Sequence, residues 1–242
     1  MAIDNFSPLI SAAVTRRSAL RVSGATLLGL SQLDLLQAQN KQAEPPADAL
    51  AEQKPRAITA LPLNSDGSAK TFSEAELTPV ADIGALFRNT GNKAPDIEYD
   101  AAKVHLKIRG NVTGKVGGLS LADLKKLPFT TQITRLQCGA PKPSGIVKWG
   151  GVRFADLCKM LDAQPMAQYV MFTSFDKYVT TEDITIATHP QVLLAWEMNG
   201  GPLPPLHGAP FRLVIPFRWG ARNIKAIEEI RFTASSFGAN NM

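Results

Sequence analysis

Ile133-Thr134-Arg135-Leu136-Gln137-Cys138-Gly139-Ala140 is the stretch on which the fold turns. Residues 130–136 read as a strand, and the apolar run ends by delivering Cys138 into the glycine- and proline-rich loop Gly139-Ala140-Pro141-Lys142-Pro143-Ser144-Gly145. Free cysteine is among the most buried residue types. A thiol set where a strand gives way to such a loop is instead open to solvent or to a cofactor, which is the geometry of a site rather than of packing.

Downstream of the cysteine, Val147-Lys148-Trp149-Gly150-Gly151-Val152-Arg153 leads into a helix expected over residues 152–161. The apolar face of that helix takes Cys158 into the core, and Trp149 braces the cysteine loop. Residues 169–174 are an apolar run of strand length with Ser174 at its polar end. A strand over residues 192–198 meets the turn Asn199-Gly200-Gly201 and the proline-rich segment 202–208. A strand over 211–216, a polar loop over 218–225 and a last strand over 227–232 follow.

Upstream, residues 104–110 alternate as a half-buried strand, and residues 120–128 form a short helix with a capping serine and a terminating proline. Short strands with a few short helices make a mixed, β-rich α+β domain.

The 242 residues suit one domain behind a leader. The net charge of +5 comes from scattered Lys and Arg, several of them in the leader, so nucleic-acid binding is not indicated. His105 and His189 each stand alone, without a partner at ligand spacing. Arg16-Arg17 followed by a mildly apolar segment over residues 22–30 resembles a twin-arginine export signal, which carries proteins already folded, commonly around a cofactor. The expected organisation is a signal over residues 1–38, an extended linker or arm over 39–71 and a domain over 72–242. The expected location is the periplasm, reached through the twin-arginine export machinery.

Several pieces now stand in a fixed order: Cys138, Trp149-Gly150-Gly151, Val192-Leu193-Leu194-Ala195-Trp196, Pro202-Leu203-Pro204, His207-Gly208-Ala209-Pro210-Phe211-Arg212 and Gly220-Ala221-Arg222-Asn223-Ile224-Lys225. In this order they resemble the molybdopterin-binding domain of the sulfite oxidase family over roughly residues 87–232. The resemblance implies a sulfite-oxidase-like molybdopterin-binding fold and a molybdenum–molybdopterin cofactor. Cys138 matches the protein ligand of the metal, where a soft thiolate suits an ion already bound to the two sulfurs of the pterin dithiolene.

The resemblance further implies that Arg212 and Lys225 are cofactor-binding cations, that the backbone of Asn223-Ile224-Lys225 closes over the phosphate, and that Arg222 adds charge nearby. His207 matches a pterin contact and Ser174 a hydroxyl position. Arg88 and Asn89 fall beside cofactor and metal, and Arg88 also matches a catalytic arginine that binds an anionic substrate in the sulfite-oxidising branch.

The loop over 139–145 lacks the long arginine-bearing insertion of sulfite oxidases. The chain ends soon after Phe232 and has no Cys-x-x-Cys-His site, so no immunoglobulin-like dimerisation domain or haem region is expected. The expected function is two-electron oxygen-atom transfer on a small substrate, of the sulfite-oxidising type, with electrons passed to an external cytochrome or membrane haem protein. An alternative runs in reverse as a methionine sulfoxide or other S- or N-oxide reductase, and a third is a non-catalytic binding module. Sulfite asks for converging cations, for which Arg88, Lys142 and Arg218 are candidates; a sulfoxide asks for an apolar wall, for which Phe175, Phe217 and Trp219 are candidates.

Overall fold

Strand β2 (Phe129–Gln137) carries the cysteine, and β3 (Ser144–Arg153) lies antiparallel beside it through the whole of its length. The computed structural model describes residues 60–114, 117–139 and 141–236. The chain divides into a unit Met1–Arg56 and a unit Ala57–Met242. The first, where the twin-arginine leader and most of the linker were expected, lies outside the described residues.

Strand β3 pairs with β6 (Leu193–Met198), which also takes β7 (Gly201–Pro202) and β8 (Arg212–Val214), all antiparallel. A second sheet has the order β1 (Lys107–Gly110), β9 (Ile227–Thr233), β4 (Tyr169–Ser174), β5 (Val179–Asp183). There β1 and β9 run parallel and the other pairs antiparallel. The architecture is the expected β-rich α+β domain.

Both sheets feed one large core, with Val152, Leu194 and Leu213 from the first and Ile108, Val170, Phe172, Ile230 and Phe232 from the second. Four short α-helices precede or link strands among the described residues: α1 (Val80–Ile83), α2 (Leu121–Leu124), α3 (Phe154–Met160) and α4 (Ile184–Ala187). Helix α3 drops Phe154 and Leu157 into the large core, where the Phe154 ring meets Phe172 at 5.3 Å. Helix α2 starts where Ser120 Oγ accepts the Asp123 amide at 3.2 Å, in a capping box that supplies an orphan donor of the first turn.

A smaller core lies on the other face of the first sheet, with Leu136, Val147, Trp149, Leu193 and Ala195, closed by Ile83 of α1. Strand β6 is thus buried on both faces, which is why it reads as an unbroken apolar run rather than an alternation.

The structure corrects the sequence reading at two places. Val152 and Arg153 belong to β3, and the helix expected from residue 152 begins at Phe154. Residues 144–151, to which the sequence reading assigned no strand, are strand. Two glycines at its centre remove the side-chain pattern by which a strand is recognised. Gly151 sits at a register shift, where an added β-carbon would stand 2.1 Å from the Leu194 carbonyl oxygen. Gly151→Ala is expected to cost about 3 kcal/mol by parting β3 from β6, seen as a lower urea midpoint at unchanged slope.

The second omission is β5. Its inward residues are Thr180 and Glu182, so the strand offers no hydrophobic alternation.

Residues 60–83 are stitched along the first sheet. Ala69 exchanges two 2.8 Å bonds with the Gln191 side chain, the Phe72 amide donates to Ile133 O at 3.1 Å, and the Thr78 amide donates to Ile146 O at 2.9 Å. This path carries the chain from the edge of β2 to the mouth of the cavity described next.

Candidate active site

Cys138 stands one residue past β2, half-buried, with its amide donating to Pro143 O at 3.0 Å across the loop. Buried Gln137 fixes the turn. Its Nε2 donates to Cys138 O at 3.0 Å, and its Oε1 accepts from Ser144 Oγ at 2.8 Å and Arg135 Nε at 3.2 Å. The loop is therefore held by backbone and amide bonds that leave the thiol free. Cys158, also a free thiol, is buried in the large core, and burial pushes its pKa up to about 12.

The thiol opens onto a cavity whose lining includes Arg88, Ser174, His207, Arg212, Asn223, Ile224 and Lys225. These candidates come from five separate segments of sequence, and the topology brings them together. Asn89, expected beside the cofactor, stands outside the lining. It binds Asp176, which does line it.

Arg212 on β8 is only 3% exposed. Its guanidinium lies over the Trp149 ring at 4.7 Å and donates to His207 O at 2.8 Å, while its Nε is buried without a partner. Lys225 Nζ lies over the Phe87 ring at 4.0 Å and donates to Leu206 O at 3.1 Å. Among the described residues neither cation has a carboxylate at ion-pair distance. Two desolvated cations without counter-ions form a place for an anion.

Gly208 keeps the parts close. It sits at φ +115°, and a β-carbon there would stand 2.9 Å from Lys225 Cβ. The two cations act on their neighbour: burial first, then Arg212 and Lys225, pulls the His207 pKa down to about 4, so the imidazole is neutral at neutral pH.

Lys225 itself is pulled from 10.5 to about 7, by burial and then by Arg212. Across that window the unfolded chain holds a proton that the folded chain has lost, so the stability of the cofactor-free protein rises with pH from about 7 towards 10.5. Anion binding requires the ammonium and therefore weakens over the same range. Sulfate, fully ionised throughout, is expected to raise the melting temperature of cofactor-free protein at pH ~6 and to do so far less at pH ~9. An equal shift at both would remove Lys225 from the anion site.

Two side chains of the 218–225 loop are engaged by the protein itself. Arg222 is turned away: its Nε pairs with buried Glu182 at 2.6 Å and its NH2 donates to Thr181 O at 2.6 Å, so its charge is taken up by β5. The Asn223 side chain is spent on the loop, accepting from the Ile215 amide at 2.7 Å and donating to Trp219 O at 3.1 Å. Asn223 and Ile224 are buried wall.

Lys142 and Arg218 do not line the cavity, and neither do Phe175, Phe217 or Trp219. Lys142 Nζ donates to Asp82 O at 2.6 Å, and the Phe217 ring packs on His189 at 4.5 Å.

Sequence reading missed Phe87, Asp176 and Tyr178, which all line the cavity. Tyr178 Oη donates to Ala221 O at 3.1 Å, tying β5 to the 220–222 wall. The only signal for Asp176 was a polar turn following the Ser174 strand.

A family model described as "Oxidoreductase molybdopterin binding domain" matches residues 92–240. The protein-methionine-sulfoxide reductase catalytic subunit MsrP of Xanthomonas campestris is 36% identical over 180 residues, covering 65% of this chain and 55% of that protein. Mitochondrial sulfite oxidase of Rattus norvegicus is 29% identical over 192 residues, covering 68% and 34%. The solved structure of the sulfane dehydrogenase SoxCD from Paracoccus pantotrophus shares the fold, with a TM-score of 0.54 at 17% identity, covering 86% of this chain and 56% of that one. The chain spans about half the length of the first curated relatives it matches.

Proposed function

We propose a reaction from a fixed premise: this chain belongs to the oxidoreductase molybdopterin-binding domain family, and it is an enzyme that uses the molybdopterin cofactor. Within that family we assign it the reduction of a sulfoxide, in the manner of a methionine sulfoxide reductase, in place of the sulfite-type oxidation expected from the sequence.

One observation carries the choice. The lining shared with Cys138 is largely apolar, from Ala85, Leu86, Leu136, Pro143 and Ala221, and its one exposed cation is Arg88. Sulfite needs several cations converging on it, whereas a sulfoxide needs an apolar wall for its substituents and a donor for its oxygen. Relatives support the same choice, since a methionine-sulfoxide reductase subunit matches at 36% identity and sulfite oxidase at 29%.

The residues present fit the cofactor. Buried Arg212 with its unpartnered Nε, and Lys225 beside it, would hold the phosphate. Cys138 would hold the metal, and among the described residues no group of three or more His, Cys, Asp or Glu forms a separate metal site. When bound, the cofactor supplies two-electron oxygen-atom chemistry at a metal.

The chain supplies the rest. The bonded turn fixes the thiol, the apolar lining excludes water, Arg88 donates to the substrate oxygen, and neutral His207 contributes a ring without adding a third positive charge. Electrons come from an external haem carrier, cytochrome or membrane protein. The enzyme works in the periplasm after twin-arginine export, a reading supported by Arg16-Arg17 and the apolar segment behind them.

The test uses full-length protein made in a host that synthesises the cofactor. Near-stoichiometric molybdenum, with oxidation of reduced benzyl viologen dependent on methionine sulfoxide, is the expected result. Reduction of ferricyanide dependent on sulfite, without sulfoxide turnover, would restore the oxidase. Well-folded protein without metal would leave a binding module.

A further inference from the structure

We propose that Asp176 is a positioning residue that clamps the loop over residues 87–91 across the mouth of the cavity, and so governs access to Cys138. The inference deepens the reading above, since it takes the cavity to be the entry route of the substrate.

The carboxylate is aimed by its own turn. Asp176 is 7% exposed, its Oδ1 accepts the Tyr178 amide at 3.1 Å, its amide donates to Ser174 Oγ at 3.3 Å, and the Ser174 amide closes the turn on Tyr178 O at 2.9 Å. The second oxygen then points outward to one partner. Oδ2 accepts the Asn89 amide at 3.2 Å, and the Asp176 carbonyl accepts Asn89 Nδ2 at 2.8 Å. This two-point grip joins residues 87 positions apart.

The gripped loop moves as one piece, because Phe87 and Gly91 exchange backbone bonds of 2.6 and 3.0 Å. It carries Phe87 onto Lys225 and Arg88 into the lining. At its other end the chain enters through Gly84 at φ +75°, just after Ile83 is seated in the smaller core. Among the described residues no cation lies at ion-pair distance from Asp176, and both carboxylate oxygens are taken by backbone amides. The carboxylate acts as a double acceptor.

Asp176→Asn separates the two bonds. An asparagine carbonyl still accepts the Tyr178 amide and preserves the turn, but its NH2 cannot accept from Asn89. Full-length cofactor-free protein is treated with iodoacetamide, and labelling of Cys138 and Cys158 is followed by mass spectrometry. Asp176→Asn is expected to label Cys138 roughly tenfold faster than wild type, the scale of one hydrogen bond to a charged acceptor, and Asn89→Ala, which loses only the side-chain bond to the Asp176 carbonyl, about threefold faster. The double variant loses both bonds and is expected to react faster than either single. Cys158 stays unlabelled throughout.

Cys138 labelling within about twofold of wild type in Asp176→Asn and in the double variant, or Cys158 labelling that rises in step, would overturn the proposal, the last by making Asp176 a general structural residue. In the cofactor-loaded enzyme the same variants are expected to raise KM for methionine sulfoxide several-fold and to lower kcat less, since the loop also carries Arg88; a fall in kcat alone counts against the clamp. A loaded enzyme inactive on sulfoxides would sink the reaction assignment only, and the labelling would still decide the clamp.

Discussion

Cys138→Ser is expected to lower sulfoxide reduction by on the order of a thousandfold while leaving the fold intact. A serine hydroxyl has nearly the size of the thiol, but it is a hard, poorly acidic donor where the metal calls for a soft anion. The fold does not depend on the sulfur. The turn is closed by the Cys138 amide on Pro143 and by Gln137 on the Cys138 carbonyl, and serine retains both backbone groups.

The variant should therefore melt within ~2 °C of wild type, the shift expected of a change well under 1 kcal/mol in a domain of this size, and the bound cofactor should lose the absorption contributed by the cysteine thiolate. Cys158→Ser is the control of opposite character. It places a hydroxyl in the large core and lowers stability by ~1–2 kcal/mol without reducing turnover per folded molecule. Retention of full activity in Cys138→Ser would remove the central assignment.

The cysteine was legible because local signals sufficed: a strand, then glycine and proline, within ten residues of chain. The cations Arg212 and Lys225 were legible through a motif whose members are close in sequence. What was not legible depended on distant partners. Asp176 looks like any turn residue until the chain brings Asn89 to it. Arg222 was read as charge for the cofactor because its true partner, Glu182, lies on β5, a strand with polar inward residues and no hydrophobic signature. One unrecognised strand therefore caused a second error, in the site. The same physics explains β3, where Gly150 and Gly151 allow the close approach to β6 and erase the pattern that would announce a strand.

Arg212→Met should have effects of opposite sign on stability and on cofactor retention. In the protein without cofactor the guanidinium is desolvated, lies far from any carboxylate among the described residues and leaves Nε without a partner. Burial alone pushes its pKa down, which is the mark of a charge held at a cost. An unpaired buried charge costs several kcal/mol. The bond to His207 O returns about 1.5–3 kcal/mol and the Trp149 face about 1–2. Methionine keeps the length and fills the space over Trp149 without the charge.

The cofactor-free variant is accordingly expected to melt ~2–4 °C higher than wild type, equivalent to about 1 kcal/mol. Its retention of cofactor is expected to fall at least about a hundredfold, since the charge-assisted contact that Arg212 would make to the phosphate is lost. Sulfate, expected to stabilise the wild type, should raise the variant's melting temperature far less. Calorimetry of the two cofactor-free proteins with and without sulfate decides the matter. A variant that melts well below wild type and still responds to sulfate would mean that Arg212 serves to tie His207 to Trp149, and that the anion is held elsewhere.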